Sequence, residues 1–168
     1  AAERAEHPEL AIVRTERLLG GARATVPVAV AGGYPASDRT MDDLERELAD
    51  YAERGFGLWA VERNETHEPI GICGLIKRDT LADIDIGFAF LQRVWGNGYA
   101  LEAAAATLAH GTDVLHLERI VAVTTRANRR SSDLLRKLGF RFERNVRLDT
   151  DGDELELYAI GKDAPVGQ

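Results

Sequence analysis

The run RVWGNGYALEA, residues 93 to 103, sets Gly96 and Gly98 two apart behind Trp95, just before an alanine-rich stretch suited to a helix. Glycine beside a helix start costs roughly 0.5–1 kcal/mol against alanine, and a chain accepts that where its backbone must approach something closely. A helix N-terminus offers unpaired N–H groups and a partial positive charge, which makes it an anion site by construction. Glycines remove the side chains that would keep a phosphate away. The chemistry expected of this stretch is therefore anion binding by the backbone. Basic residues cluster further on: Arg119, Arg126, Arg129, Arg130, Arg136 and Lys137. They read either as a solvated helix surface or as a patch that receives a compact polyanion, such as a nucleotide phosphate group.

Two familiar nucleotide signatures fail here. A G-x-G-x-x-G pattern needs glycine at 101, where Leu101 stands, and no P-loop Lys-Ser/Thr follows. Net charge is −7, which argues against broad binding to nucleic acid. The four histidines, His7, His67, His110 and His116, form no ligand spacing, so no metal is expected. The single cysteine, Cys73, lies in the apolar run IGICGLI and reads as core in a reducing cytoplasm.

The elements that must position the glycine loop can be read along the chain. With 168 residues, 45% hydrophobic and 29% charged, it reads as one globular domain, residues 1–168. Residues 1–8 read as a flexible N-terminal tail and 163–168 as a C-terminal tail. No apolar run approaches the ~18–20 residues of a membrane span, and AAERAEHPEL lacks the layout of a secretory signal. LAIVRTERLL (10–19) is a β-rich opening, the 20–37 segment is broken by glycine and proline, and TMDDLERELADYAERG (40–55) reads as a helix. FGLWAVER (56–63), PIGICGLIKR (69–78) and LADIDIGFAFL (81–91) are successive strand candidates. The third alternates, with Ile84, Ile86 and Phe88 on one face and Asp83 and Asp85 on the other. YALEAAAATLAHGTDVLH is helical and stops near Gly111. ERIVAVTT (118–125) suits a central buried strand. NRRSSDLLRKLGF opens on a capping residue, Asn128, and closes on Gly139. RFERNVRL and DELELYAIG form two last strands, paired through an Asp151-Gly152 turn. The fold class is thus α/β in the α+β sense: a mixed sheet covered by helices, without the regular alternation of a doubly wound fold.

DIGFAFLQRVWGNGYALEA, followed by NRRSSDLLRKLGF, resembles the GNAT superfamily of acetyl-CoA-dependent N-acetyltransferases. RTERLL, FGLWAV, IDIGF, WGNGYALEA and the N-x-x-S…LGF ending, in that order, are similar to its RimJ/RimL branch, which acetylates protein N-termini and small amines. The resemblance spans about residues 10 to 162. It implies a GNAT fold, a sheet of about seven mostly antiparallel strands flanked by helices. It also implies an enzyme that takes acetyl-CoA as cosubstrate and needs no metal. By position, Gly98 and Ala100 match the diphosphate loop, held by backbone N–H groups from Gly96 through Asn97, Gly98 and Tyr99 to Ala100. Phe90 and Leu91 match the strand end that pairs with pantetheine, and the Phe90 N–H would polarise the thioester carbonyl. Asn128 matches a CoA-contacting asparagine, and Ser131 the small or hydroxyl residue three further on.

Two positions depart from the family. Where many members carry a tyrosine that protonates the leaving thiolate stands Leu135, so that role passes to Ser131, Ser132 or water. The 20–37 segment, which would help form the acceptor site, is short and rich in glycine, alanine and valine. Asp85 resembles the family's strand acid and is the leading candidate for general base. It also reads as a solvated or ion-paired strand carboxylate, the plainer role for such a residue. Ser131 likewise reads as a first-turn helix residue. The function implied is transfer of an acetyl group to a primary amine, on a protein N-terminus or small molecule, by a cytoplasmic enzyme without nucleic-acid or membrane partners. Family members often pair through sheet edges, which makes a homodimer an expectation. A non-catalytic domain that holds acetyl-CoA as sensor or scaffold is the alternative.

Overall fold

In the computed structural model, residues 22–25, 53–63, 66, 68–150 and 152–165 are described. The expected strand at 10–19, residues 40–52 of the expected helix, residues 1–8 and the rest of the 20–37 segment lie outside them, while Glu53 and Arg54 are helical as expected. Seven strands form one sheet: β1 (Ala22–Thr25), β2 (Leu58–Arg63), β3 (Pro69–Lys77), β4 (Ile84–Phe90), β5 (Arg119–Thr125), β6 (Arg141–Val146) and β7 (Leu155–Gly161). Their spatial order is β1-β2-β3-β4-β5-β7-β6. Every neighbouring pair is antiparallel except β4 and β5. Two helices, α1 (Tyr99–Ala109) and α2 (Arg129–Lys137), supply the connections on either side of β5. No described helix is long and apolar enough to cross a membrane.

Burial follows the two-residue period of the strands. On one face Ile86, Ile120, Ala122 and Tyr158 pack with Ala103, Ala104 and Leu108 of α1, and with Leu135 of α2 and Phe140 just beyond it. On the opposite face Val121, Leu157 and Ala159 pack with Leu81 and Val146. The alanines of α1 let that helix lie close against the sheet. α2 begins as its sequence indicates, the Asn128 side chain accepting a hydrogen bond from the Ser131 N–H. α1 runs past its expected stop, continuing into a wider π-type turn from His110 to Val114. β6 and β7 pair as expected from Arg141↔Ala159 to Val146↔Leu155, but through a connection longer than the tight Asp151-Gly152 reversal expected.

β3 and β4 stay in register over their full length, from Lys77↔Ile84 to Gly71↔Phe90. β5 and β7 likewise pair from Arg119↔Gly161 to Thr125↔Leu155. Between them, β4 and β5 pair only at Ile84↔Ile120 and Asp85↔Val121. Each strand follows its antiparallel partner, so the two part beyond Asp85 and leave a wedge-shaped opening along the last residues of β4.

Candidate active site

A cleft of about 960 Å³ lies along that opening, lined by the end of β4, the glycine loop and one face of α2. Phe90, Gly96, Gly98, Tyr99, Ala100, Asn128 and Ser131 all border it. Gly96 and Gly98 both hold left-handed backbone, φ +81° and +86°, which side-chain-bearing residues adopt only at a cost. A Cβ built at either position would meet nothing within 4 Å. Glycine therefore serves two ends: it permits the turn, and it leaves the backbone approachable. α1 starts from Gly98 with no side-chain cap, and its first ladder bond runs from the Glu102 N–H to the Gly98 carbonyl at 3.0 Å. The N–H groups of Tyr99, Ala100 and Leu101 precede that ladder and face the loop end with their partial positive charge. A diphosphate fits such a cradle.

The strand end offers a second donor. Leu91 gives its N–H to the Ile70 carbonyl of β3 at 2.9 Å. Backbone groups alternate along a strand, so the Phe90 N–H and carbonyl point the other way, into the opening. The carbonyl is taken by the Trp95 indole N–H at 2.8 Å, which leaves the N–H to a ligand. Leu91 does not border the cleft. Its N–H is committed to β3, and its carbonyl accepts from the Val94 N–H at 3.0 Å. Asn97 also stays off the cleft wall, its side-chain amide bracing the loop through the Val94 carbonyl at 3.1 Å.

On the facing wall, Asn128 spends its Oδ1 on the helix cap, so its Nδ2 is the group left to a ligand. Arg130, Leu134 and Lys137 follow at the helical spacing i, i+4, i+7 and present one face of α2 to the cleft. The basic cluster of the sequence thus divides. Arg119 instead ties Asp83 and Glu143 at 3.0 and 2.6 Å, and Arg126 and Arg136 pair with Glu156 and Asp133. The i, i+7 spacing of Arg130 and Lys137 was the signal that could have singled them out. Leu135, in place of the family's tyrosine, is 1% exposed in the core. Ser132 is buried and bonds back to the Asn128 carbonyl at 3.3 Å, which leaves Ser131 as the cleft-facing hydroxyl.

Asp85 lies elsewhere. It is 1% exposed, outside the cleft lining, with Oδ2 held by Arg78 at 2.6 Å and Oδ1 without a hydrogen-bond partner. Alternation places it on the face opposite Ile86, and both faces of this central strand are covered. Burial raises its pKa to about 6, outweighing the Arg78 charge and hydrogen bond and a lesser pull from the Val123 backbone. The folded protein therefore holds a proton that the unfolded chain has already released. Stability from this group is present at low pH and is lost as pH rises from about 4 through about 6, on the order of 3 kcal/mol for such a shift. Urea unfolding of Asp85→Asn across pH 4 to 8 should lack that decline relative to wild type. A general base would lose on the order of 10²–10⁴ in rate on this substitution; kcat within a few-fold of wild type is expected from a carboxylate without access to the cleft. Burial also pushes the Cys73 thiol up to about 12, only partly offset by Thr107 and the Gly74 backbone, so it carries no thiolate.

Comparison with known proteins agrees with this geometry. A family model described as Acetyltransferase (GNAT) domain matches residues 22–141. The chain is 35% identical over 113 residues to an uncharacterized N-acetyltransferase of Bacillus subtilis, YoaA, covering 66% of this chain and 63% of that one. It is 33% identical over 99 residues to the uncharacterized protein YkkB of the same organism, covering 56% and 58%. The match thus spans about three fifths of the length of these curated relatives. Among solved structures, an acetyltransferase from Agrobacterium tumefaciens superposes with TM-score 0.68 at 20% identity, covering 92% of this chain and 96% of that one. A spermidine N-acetyltransferase from Vibrio cholerae, in complex with CoA and spermine, gives 0.60 at 16%, covering 76% and 78%. A ribosomal-protein-S5-alanine acetyltransferase from Vibrio fischeri gives 0.60 at 19%, covering 72% and 70%.

Proposed function

The protein belongs to the GNAT family of acetyl-CoA-dependent acetyltransferases, and on that premise we propose that it acetylates a primary amine, a protein N-terminus or a small amine, as the RimJ/RimL branch does. The observation that carries the reading is the parting of β4 from β5, with the unpaired N-terminus of α1 at its mouth. Bound acetyl-CoA supplies the acetyl group as an activated thioester. Backbone N–H groups between Gly96 and Ala100 hold its diphosphate, and Asn128 adds its Nδ2 from the facing wall.

The Phe90 N–H donates to the thioester carbonyl, where charge develops during transfer. A fixed donor of that kind contributes on the order of 3–4 kcal/mol. Holding the amine beside the thioester contributes on a similar scale. The amine proton passes to water, since Asp85 has no access, and the Ser131 hydroxyl gives its proton to the departing thiolate as it takes one back from that water, so that one proton in all moves from amine to thiol. The net charge of −7 favours a cationic amine as acceptor. Spermidine and the alanine of a ribosomal protein, named for two proteins of this fold, represent the two acceptor classes to try first.

Release of free CoA thiol from acetyl-CoA, followed against polyamines and N-terminal peptides, tests the proposal. Turnover with at least one amine is expected. A folded protein that binds CoA and turns over with none would favour a non-catalytic acetyl-CoA-binding domain.

A further inference from the structure

One side chain reaches from the glycine loop to both the end of β4 and α2. Trp95 donates its indole N–H to the Phe90 carbonyl at 2.8 Å, and the Arg130 guanidinium lies over the same ring, 4.5 Å from its centroid. The ring is 48% exposed, so burial does not account for where it sits. Phe90 ends β4 and Arg130 opens α2, segments whose spacing the sheet does not set, because β4 and β5 have already parted. The hydrogen bond also changes what residue 90 offers. Both of its backbone groups point into the opening, and the indole takes the acceptor.

We propose that Trp95 is a positioning residue: its indole engages the Phe90 carbonyl so that residue 90 presents its N–H in preference to its carbonyl, and Arg130 pins the ring in that place. A ligand then meets a free N–H beside a carbonyl already engaged, which favours an acceptor, a carbonyl oxygen, against this point of β4. An uncapped carbonyl would admit an N–H of the ligand instead and shift its register along the strand. The role rests on the reading that the cleft takes acetyl-CoA.

The test compares two probes by calorimetry: CoA itself, and the unreactive ketone analogue of acetyl-CoA with a methylene in place of the thioester sulfur. Wild type is expected to prefer the ketone roughly 3- to 10-fold, the worth of one oriented hydrogen bond. Trp95→Phe keeps a ring beneath Arg130 but loses the N–H, and its preference should fall at least twofold while the urea midpoint stays close to wild type. Trp95→His restores a ring N–H and should recover part of the preference. Arg130→Met should erode it too, and the double variant should cost little beyond Trp95→Phe alone, since both act on one ring. In turnover, Trp95→Phe should lower kcat for acetyl-CoA with little change in KM. An undiminished ketone preference in Trp95→Phe, or no preference in wild type that binds CoA, overturns the role of Trp95. Additive losses in the double variant overturn the pinning by Arg130. Folded wild type that binds neither probe overturns the acetyl-CoA reading itself, and this role with it.

Discussion

Gly98→Trp should abolish CoA binding, weakening it by more than about 100-fold, while the fold survives. Position 98 has left-handed backbone, so any side chain there carries strain of roughly 1–2 kcal/mol. A Cβ meets no atom of the protein, so the strain is the whole cost to the fold and the side chain projects into open space beside the cleft. Gly98→Ala supplies the control, because alanine carries the same strain with almost no bulk. The two variants should melt at similar temperatures, with alanine retaining CoA affinity within about tenfold of wild type. Equal losses in both would show that backbone strain, not occupancy, governs binding. Wild-type affinity in Gly98→Trp would place the diphosphate somewhere else.

Phe90→Pro should reduce kcat by about 10²–10³ relative to Phe90→Ala, the measured scale for removing one oriented donor to developing charge. Proline removes only the N–H that points into the opening, because the ladder bond at this end belongs to Leu91 and Ile70. Its restriction on the preceding residue favours extended backbone, which Ala89 already has within β4. Phe90→Ala keeps the N–H and loses the ring, which lies against Gly71 of β3 so closely that a Cβ there would come within 2.6 Å of it. The pair therefore separates backbone chemistry from packing. CoA affinity should be alike in the two variants. Matching kcat values would remove the Phe90 N–H from the mechanism.

What the sequence made legible follows from the range of each signal. β2 to β5 and α2 rest on local patterns: two-residue alternation, an apolar run, a capping asparagine. β1 was not visible, because four residues reading ARAT carry no apolar pattern and are a strand only by pairing with β2. The glycine loop was legible because its chemistry is backbone chemistry, written in φ-permissive residues over a few positions. Asp85 shows the opposite case. Alternation put it on the correct side of β4, but alternation does not say whether that side is covered, and its partner Arg78 lies across the β3–β4 reversal. The contact of Trp95 with Arg130, 35 positions apart, is set wholly by how α2 folds back over the loop.

The parting of β4 from β5 has a consequence for how the chain behaves among other chains. An unpaired strand edge is a template for foreign strands, the usual beginning of aggregation. Here such an edge lies inside the sheet instead of at its rim. It is confined to the last few residues of β4, walled by the glycine loop and α2, and one of its carbonyls is already occupied by an indole. An extended molecule narrow enough to enter the wedge can use the edge; a polypeptide strand with side chains on both faces meets the walls first. The same geometry that keeps a binding surface open for a small ligand thus keeps it closed to self-association.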